Sequence, residues 1–431
     1  MSIYEYEQAF GDWDKTTSAM RKAIKEWFLM YFQSDADEQQ DPCQRIAYTL
    51  VTKIVRKVFG EYQLSAKTPH TVQLLKELNS KKKEAMQLAL VGGECYIKPV
   101  PVGEGFGFVL IPRNNLLVFA RNADGIPTDV GTVEKSTWGT YYYTLLERRR
   151  VDAQGYLTIE NRLFRSRNAQ SLGVQVALKE HPGYAHLTEQ YCYEQPLGSV
   201  GLVRMKTPMV NCVDGSCDGV SVYAAAVGLI RMIDRNEAQL AGEFSRGESR
   251  VIVSSDMLRD NGINSHLFVG LDEDPERVGM TIFSPKLREQ SFLARKQEYL
   301  RNVESVIGLR RGMLSDANVE QRTATEITSS TEDFQLTVID FQQMWEQALV
   351  ETAGLCYRLA QLYGLTIPEP QFSIDWGNGV LYDQEKTWLE YLQMVEKGLL
   401  KPELALAWRF HMPAQTQDDL EHIRSTLMPK Q

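Results

Sequence analysis

The chain has 431 residues, of which 43% are hydrophobic and 24% charged, so it is long enough for two or more domains and can bury a large core without a disulfide or metal staple. Its net charge of −9, from 47 basic and 56 acidic residues, argues against a general nucleic-acid binder, although an acidic protein can still enclose DNA without gripping it. The six cysteines, at 43, 95, 192, 212, 217 and 356, make no disulfide framework and point to a reducing compartment; the N-terminus has no signal-peptide pattern, and no apolar run approaches the roughly 18 residues of a membrane span.

In chain order, helical periodicity covers residues 12–33 (Met20, Ile24, Trp27, Phe28, Tyr31) and 44–59 (Ile46, Leu50, Ile54, Val55, Val58), with a polar loop between them. A third helix is expected from about Val72 to Leu90. Its Lys81–Lys83 run reads as a solvated face rather than a phosphate contact. The pattern then turns to period two. Glu94–Val100 and Phe106–Ile111 flank the glycine cluster Gly103–Gly107 as a hairpin, and strands are expected at 116–120, 137–148 and 156–164. Helices followed by a mainly antiparallel sheet make an α+β layout.

Residues 182–218 read as loop, ending in the turn cluster Asp214–Gly219 with Asp218 or Ser221 as a helix cap. A helix is expected from Ser221 to about Phe244. Three short strands are expected at 250–253, 266–269 and 278–283, then a helix from Leu287 to Ile307 with Leu293, Leu300, Val303 and Ile307 on one face. The Arg310–Val319 stretch has a glycine and no strong propensity. From Thr323 to Leu362 apolar or small residues recur at Phe334, Val338, Phe341, Trp345, Ala348, Thr352, Leu355, Leu359 and Leu362, alternating steps of four and three. Thr323–Glu326 and Ser329–Glu332 are tandem capping boxes, compatible with one long helix or with a short turn and a restart or kink. A second apolar set, including Leu336, Ile339, Met344, Leu349, Val350 and Cys356, suits a helix held between two surfaces. A short strand at 372–376 and helices near 383–396, 403–410 and 416–426 close the chain.

Charge alternates through the middle. Residues 286–311 carry Lys286, Arg288, Arg295, Lys296, Arg301, Arg310 and Arg311 against Glu289, Glu298 and Glu304, whereas residues 256–277 are acidic, with Asp256, Asp272, Glu273 and Asp274 beside Arg259. No phosphate-binding glycine loop, zinc spacing or nucleophile elbow is present, so no catalytic, metal or cofactor residue is assigned and the chain reads as a non-enzyme.

The Thr323-Ala-Thr-Glu-Ile327 motif before a long helix, and Ile307–Ser315 upstream of it, resemble the portal (head-to-tail connector) proteins of tailed double-stranded-DNA phages. The segments Gly92–Pro99, Tyr143–Arg148 and Met394–Glu403 are similar to stretches of the same family, and the resemblance spans most of residues 90–410. It implies a wing over 1–215, stem helices over 216–247 and 287–309, a β-rich clip over 248–286, a tunnel loop over 310–322, a long kinked helix over 323–365, and a wing return with a reduced crown over 366–431. Tunnel-loop residues would be Arg310, Arg311, Gly312, Met313, Leu314, Ser315, Asp316 and Asn318, and stem cations Arg288, Arg295, Lys296 and Arg301. Clip contacts would be Asp256, Arg259, Asp272, Glu273 and Asp274, with Thr323, Thr325 and Glu326 starting the long helix. The implied assembly is a homo-oligomeric ring, by family a dodecamer, built in the host cytoplasm and placed at one capsid vertex of the virion. Its partners would be DNA passing through, terminase, the head–tail adaptor, and capsid and scaffold proteins. Two alternatives stand beside it: a helical coiled-coil scaffold without a channel, and a hydrolase with an unrecognised site. The loop could also be a plain connector, and the stem charges could be satisfied by local pairs.

Overall fold

The computed structural model describes residues 3–32, 44–66, 68–103, 105–246, 250–254, 268–271, 281–283, 287–316, 324–365, 367–377, 384–410, 414 and 417–428. For 246, 250–254, 268–271, 281–283, 324–333, 384–387 and 418 it describes the backbone alone. The chain divides into two compact units, residues 1–59 with 64–373, and residues 60–63 with 374–431.

The first unit opens with α1 (Ile3–Phe10) and α2 (Ser18–Phe32), where periodicity predicts one helix over 12–33. The intervening stretch cannot be helical, because Asp14 is turned inward: its carboxylate accepts from Thr16 N, Thr16 Oγ1 and Val118 N. Next come α3 (Ile46–Val58), the short strand β1 (Gln63–Ala66), α4 (Pro69–Ser80) and α5 (Lys82–Gly92). Thr68 caps α4 and Pro69 supplies its preset φ, which places the start earlier than the periodicity does. The single helix expected over 72–90 is thus two helices meeting at Lys81. Of the lysine run, Lys81 pairs with Glu84, and Lys82 lies 5.8 Å from the Phe59 ring centre.

The strands β2 (Glu94–Val102) and β3 (Gly105–Pro112) form the expected hairpin. β4 (Leu116–Arg121), β5 (Pro127–Trp138), β6 (Tyr141–Val151), β7 (Leu157–Ser166), β8 (Val174–Val176) and β9 (Gln190–Cys192) build an antiparallel sheet in the order β4-β5-β6-β7-β8, with β9 also on β7. The sequence pattern misses most of β5, and the strand expected at 137–148 instead begins after a turn at Gly139. The reason is that β5 buries a charge: Asp129 is held by Arg148 and Arg150 of β6, so its inward face does not read as apolar. Residues 182–218, read as loop, contain β9 and also β10 (Val203–Lys206), which pairs with β2. Phe10 of α1 closes one sheet face against Leu117, Phe119, Val133, Leu146 and Phe164.

Helix α6 (Val227–Arg246) leads to strands β11 (Arg250–Ser254), β12 (Phe268–Leu271) and β13 (Thr281–Phe283). β11 is central, parallel to β12 and antiparallel to β13. The three-strand insert agrees with expectation within about three residues at its boundaries. Helix α7 (Glu289–Ile307) comes next, then α8 (Ala324–Leu362), 39 residues without interruption. The expected restart at the second capping box is therefore absent; the helix continues through Ser329–Thr331. Its heptad seam is buried from Phe334 to Leu359, while Leu362 is half-buried. Trp345 sits edge-on to Phe59 at 5.7 Å. The second apolar set divides: Met344, Leu349 and Cys356 are buried, but Leu336, Ile339 and Val350 face out. Strand β14 is Phe372–Asp375.

In the second unit, α9 (Gln384–Glu396), α10 (Pro402–Phe410) and α11 (Gln417–Leu427) are joined by Tyr391 against Trp408 at 5.0 Å and by Arg424 Nε to Glu403 Oε1 at 2.7 Å.

Candidate functional site: a rooted helix hairpin and its return loop

Helices α6 and α7 lie antiparallel, and charge fixes their register. Arg288 donates two hydrogen bonds to Glu243, at 3.0 and 2.8 Å; Asn236 Nδ2 donates to Phe292 O; and Lys296 Nζ reaches Glu237 Oε2 at 2.8 Å. Lys296 also donates to Gln44, whose backbone N–H donates to Asp234. Apolar burial on α7 is confined to its C-terminal half, at Leu300, Val303 and Ile307, whereas on α6 it extends from Ile230 and Ile233 up to Leu240. Between Leu287 and Tyr299 no residue is buried, and Phe244, Leu287 and Leu293 are 43%, 39% and 45% exposed. Leu293, which the periodicity puts on one face with Leu300, Val303 and Ile307, is thus left exposed, although α6 runs alongside this half of α7.

The root of α6 is tied into the sheet-bearing core by backbone and charge. Gly93 and Gly219 touch: a Cβ on Gly219 would fall 2.2 Å from Gly93 O, and Gly93 has φ +80°, so both positions need glycine. Beside this crossing lies a buried ionic cluster. Glu94 accepts from Gly219 N at 2.6 Å, from Tyr96 Oη at 2.8 Å and from Arg204, with Arg113 Nε at 3.6 Å. Asp218 in turn takes Arg113 at 3.2 Å and Arg121 at 2.5 Å. Burial pushes the Glu94 carboxyl up, but Arg204 and Arg113 and the Gly219 N–H outweigh it, and the pKa falls to about 2. Asp218 is therefore not a helix cap. Ser221 Oγ donates to Leu90 O, and the helix begins only after a short turn at 224–226. Tyr223 Oη donates to Trp27 O and completes the anchor.

The loop after α7 is held down, although its composition suggests a pliable segment. Glu304, fully buried on α7, accepts from Gly312 N at 3.1 Å, Leu314 N at 2.5 Å, Ser315 N at 2.9 Å and Ser315 Oγ at 2.8 Å. Gln297 takes Asp316 N, and Lys53 of α3 donates to Met313 O. Gly308 closes α7 at φ +75°, with Leu309 N returning to Glu304 O at 2.8 Å. Gly308→Ala is expected to cost about 1–2 kcal/mol, because an L side chain strains the left-handed backbone and its Cβ would sit 3.2 Å from Thr337 Oγ1. Chemical denaturation checks this; an unchanged midpoint contradicts it.

The assigned residues are spread unevenly over this frame. Arg310, Arg311 and Asp316 are exposed; Gly312, Met313 and Leu314 are half-buried; Ser315 is buried. Of the stem cations, Arg288 and Lys296 are spent across the hairpin, Arg301 pairs with Glu298 one turn away, and Arg295 donates to Tyr299 Oη. Within the single chain, three of these four cations thus have an acidic partner. Thr325 and Glu326 fall in the first turn of α8; their side chains, together with Thr323, Asn318, Asp256, Arg259, Asp272, Glu273 and Asp274, lie outside the described residues. In the sequence Glu304 reads only as one more charge and Glu94 only as a strand residue; no local signal marks either as a buried acceptor. Among the described residues no group of His, Cys, Asp or Glu is arranged to hold a metal ion.

No family model and no curated protein matches the sequence. Among solved structures, a chain from the neck of an empty gene transfer agent particle, computed with C6 symmetry, is similar at a TM-score of 0.52 and 11% identity, over 96% of this chain and 100% of that one. A chain from the neck of the native particle, computed with C12 symmetry, gives a TM-score of 0.49 at 11% identity, over 95% and 99% of the two chains. At this identity the likeness is one of fold.

Proposed function

We propose that this chain is a portal-type head–tail connector subunit that closes into a ring around a DNA channel. The observation that carries the reading is the α6–α7 hairpin, rooted at one end and bearing a three-strand insert at the other. After it come the return loop and the unbroken α8. The same fold is found over nearly the whole length of a neck chain from a phage-like particle assembled with rotational symmetry. Physical chemistry adds two supports. The N-terminal half of α7 has no buried residue within its own chain, and its Leu287 and Leu293, with Phe244 near the end of α6, are exposed where neighbours in a ring would cover them. Its basic side chains are mostly paired with acids, leaving few cations for phosphate. Each fixed phosphate contact adds affinity, so a conduit through which DNA slides needs few of them.

The coiled-coil alternative is disfavoured by α8 itself. The heptad seam that would pair with another chain is buried within this chain from Phe334 to Leu359. In the proposed ring, DNA passes through the channel during packaging and ejection, and the strand insert meets terminase and then the adaptor. No catalytic residue is assigned.

Native mass spectrometry and negative-stain imaging of the purified chain test the assembly. A closed ring with a central hole is expected, twelve subunits being the number the family resemblance implies. A monomer, or a dimer or trimer without a hole, overturns the proposal. A second test addresses the loop: deleting residues 311–318 should leave rings intact while DNA packaging or retention fails, and normal packaging refutes a gating role.

A further inference from the structure

Beside α2 lies an open groove of about 690 Å³, remote in sequence from the hairpin and its return loop. It runs between α1, α2 and the start of β4, and α2 supplies its long wall. The groove-lining positions Lys22, Lys25, Leu29 and Phe32 are separated by steps of three, four and three, so they form a single stripe on the helix. The stripe changes character along its length. Its first half is cationic. Lys22 and Lys25 are exposed and have no ion pair or hydrogen bond among the described residues, unlike neighbouring Arg21, which is paired with Glu7. Its second half is apolar: Phe28 stacks on Phe32 with ring centres 6.2 Å apart, Leu29 is half-buried, and Phe32 is 58% exposed.

From this layout we infer that the α2 groove docks an acidic amphipathic helix of a partner protein, oriented by charge. Complementarity selects the occupant. In a chain of net charge −9, two adjacent unpaired lysines at the lip of an apolar groove are a local reversal of sign, and they favour carboxylates over the other charged partners. Lys22 and Phe32 are ten positions apart, or about 15 Å along the helix, so a guest helix of similar length can set carboxylates on the lysines and Leu- or Phe-sized side chains against Phe28, Leu29 and Phe32. The gradient also fixes direction, because a guest laid the other way would bring its acids onto Phe32 and its apolar side chains onto the lysines. The inference does not rest on the ring reading.

The probe is a fluorescein-labelled helical peptide of about 14 residues, with glutamates in one half and leucines in the other along a single stripe. Fluorescence anisotropy with the full chain should show saturable binding that weakens as salt rises. Lys22→Glu with Lys25→Glu should weaken it about tenfold or more, and Phe32→Ser should do likewise. The double variant should instead take up a peptide with lysines in place of the glutamates, and that gain of binding also shows that the variant is folded. No binding by the unaltered chain, or equal binding by all variants, overturns the inference. So does binding to anionic phosphatidylserine vesicles without peptide binding, which makes the patch a membrane contact. Loss of self-association in the lysine variant without peptide binding assigns the groove to a second copy and overturns it too.

Discussion

Replacing Glu94 with Ala should destabilise the first unit by about 3 kcal/mol, since it takes the counter-charge from the largely buried Arg204 and leaves Arg113 with Asp218 alone. The carboxylate is fully buried and also accepts from Gly219 N, so its loss loosens the glycine crossing from which α6 is launched. Denaturant unfolding should show the drop, and Glu94→Gln should fall between, because an amide oxygen can still take one N–H but carries no charge. The same group predicts a pH response. The folded pKa of Glu94 lies at about 2, below its ordinary 4.5. Glu147, where burial is outweighed by Arg149 and Lys98, also lies at about 2. Depressed carboxyl pKa values stabilise the fold above the ordinary value, and that stability is lost as pH falls toward the folded one. Stability should therefore decline between about pH 4.5 and pH 2, and Glu94→Gln should decline less steeply across that window. Parallel acid curves for the variant and the parent would show that Glu94 is not part of the response.

Glu304→Ala should release the return loop. Three backbone N–H groups, from Gly312, Leu314 and Ser315, lose their acceptor, and so does the Ser315 hydroxyl. Hydrogen bonds to a buried charge are worth about 1.5–3 kcal/mol each and are not additive, so a local loss of about 3 kcal/mol is reasonable. Amide exchange at these three residues should then speed up by about a hundredfold, while amides in the sheet change little. Unchanged protection would mean that Lys53 and Gln297 hold the loop without Glu304. If the ring proposal is right, the same substitution should leave assembly intact and impair retention of packaged DNA, because the latch joins the loop to a stem helix.

The two tests separate two kinds of acid. Glu94 holds the root of the hairpin, so its loss is read in global unfolding. Glu304 holds only the loop beyond α7, so its loss is read locally. In neither case does the neighbouring sequence give a warning: Glu94 opens a strand of apolar and aromatic residues, and Glu304 looks like one more surface charge on a charged helix.

The features legible in the residue order are the periodic ones. The seam from Phe334 to Leu359, the hairpin of β2 and β3, and the order helix, strand insert, helix, long helix can all be read there, because one-sided burial repeats every 3.6 or 2 residues within a single element. Where charge goes inside is settled only by the folded arrangement. Glu94 and Arg113, nineteen residues apart, meet at the open end of the β2–β3 hairpin, and Asp129 sits in a strand that reads as polar. Lys296 is spent on Glu237 from a helix some sixty residues earlier, and the loop amides converge on Glu304 only once the chain has folded back. The division has a physical cause. An apolar side chain needs only to leave water, which its own helix or strand can signal, whereas a buried charge is tolerable only beside a counter-charge or donor that the rest of the fold must bring to it.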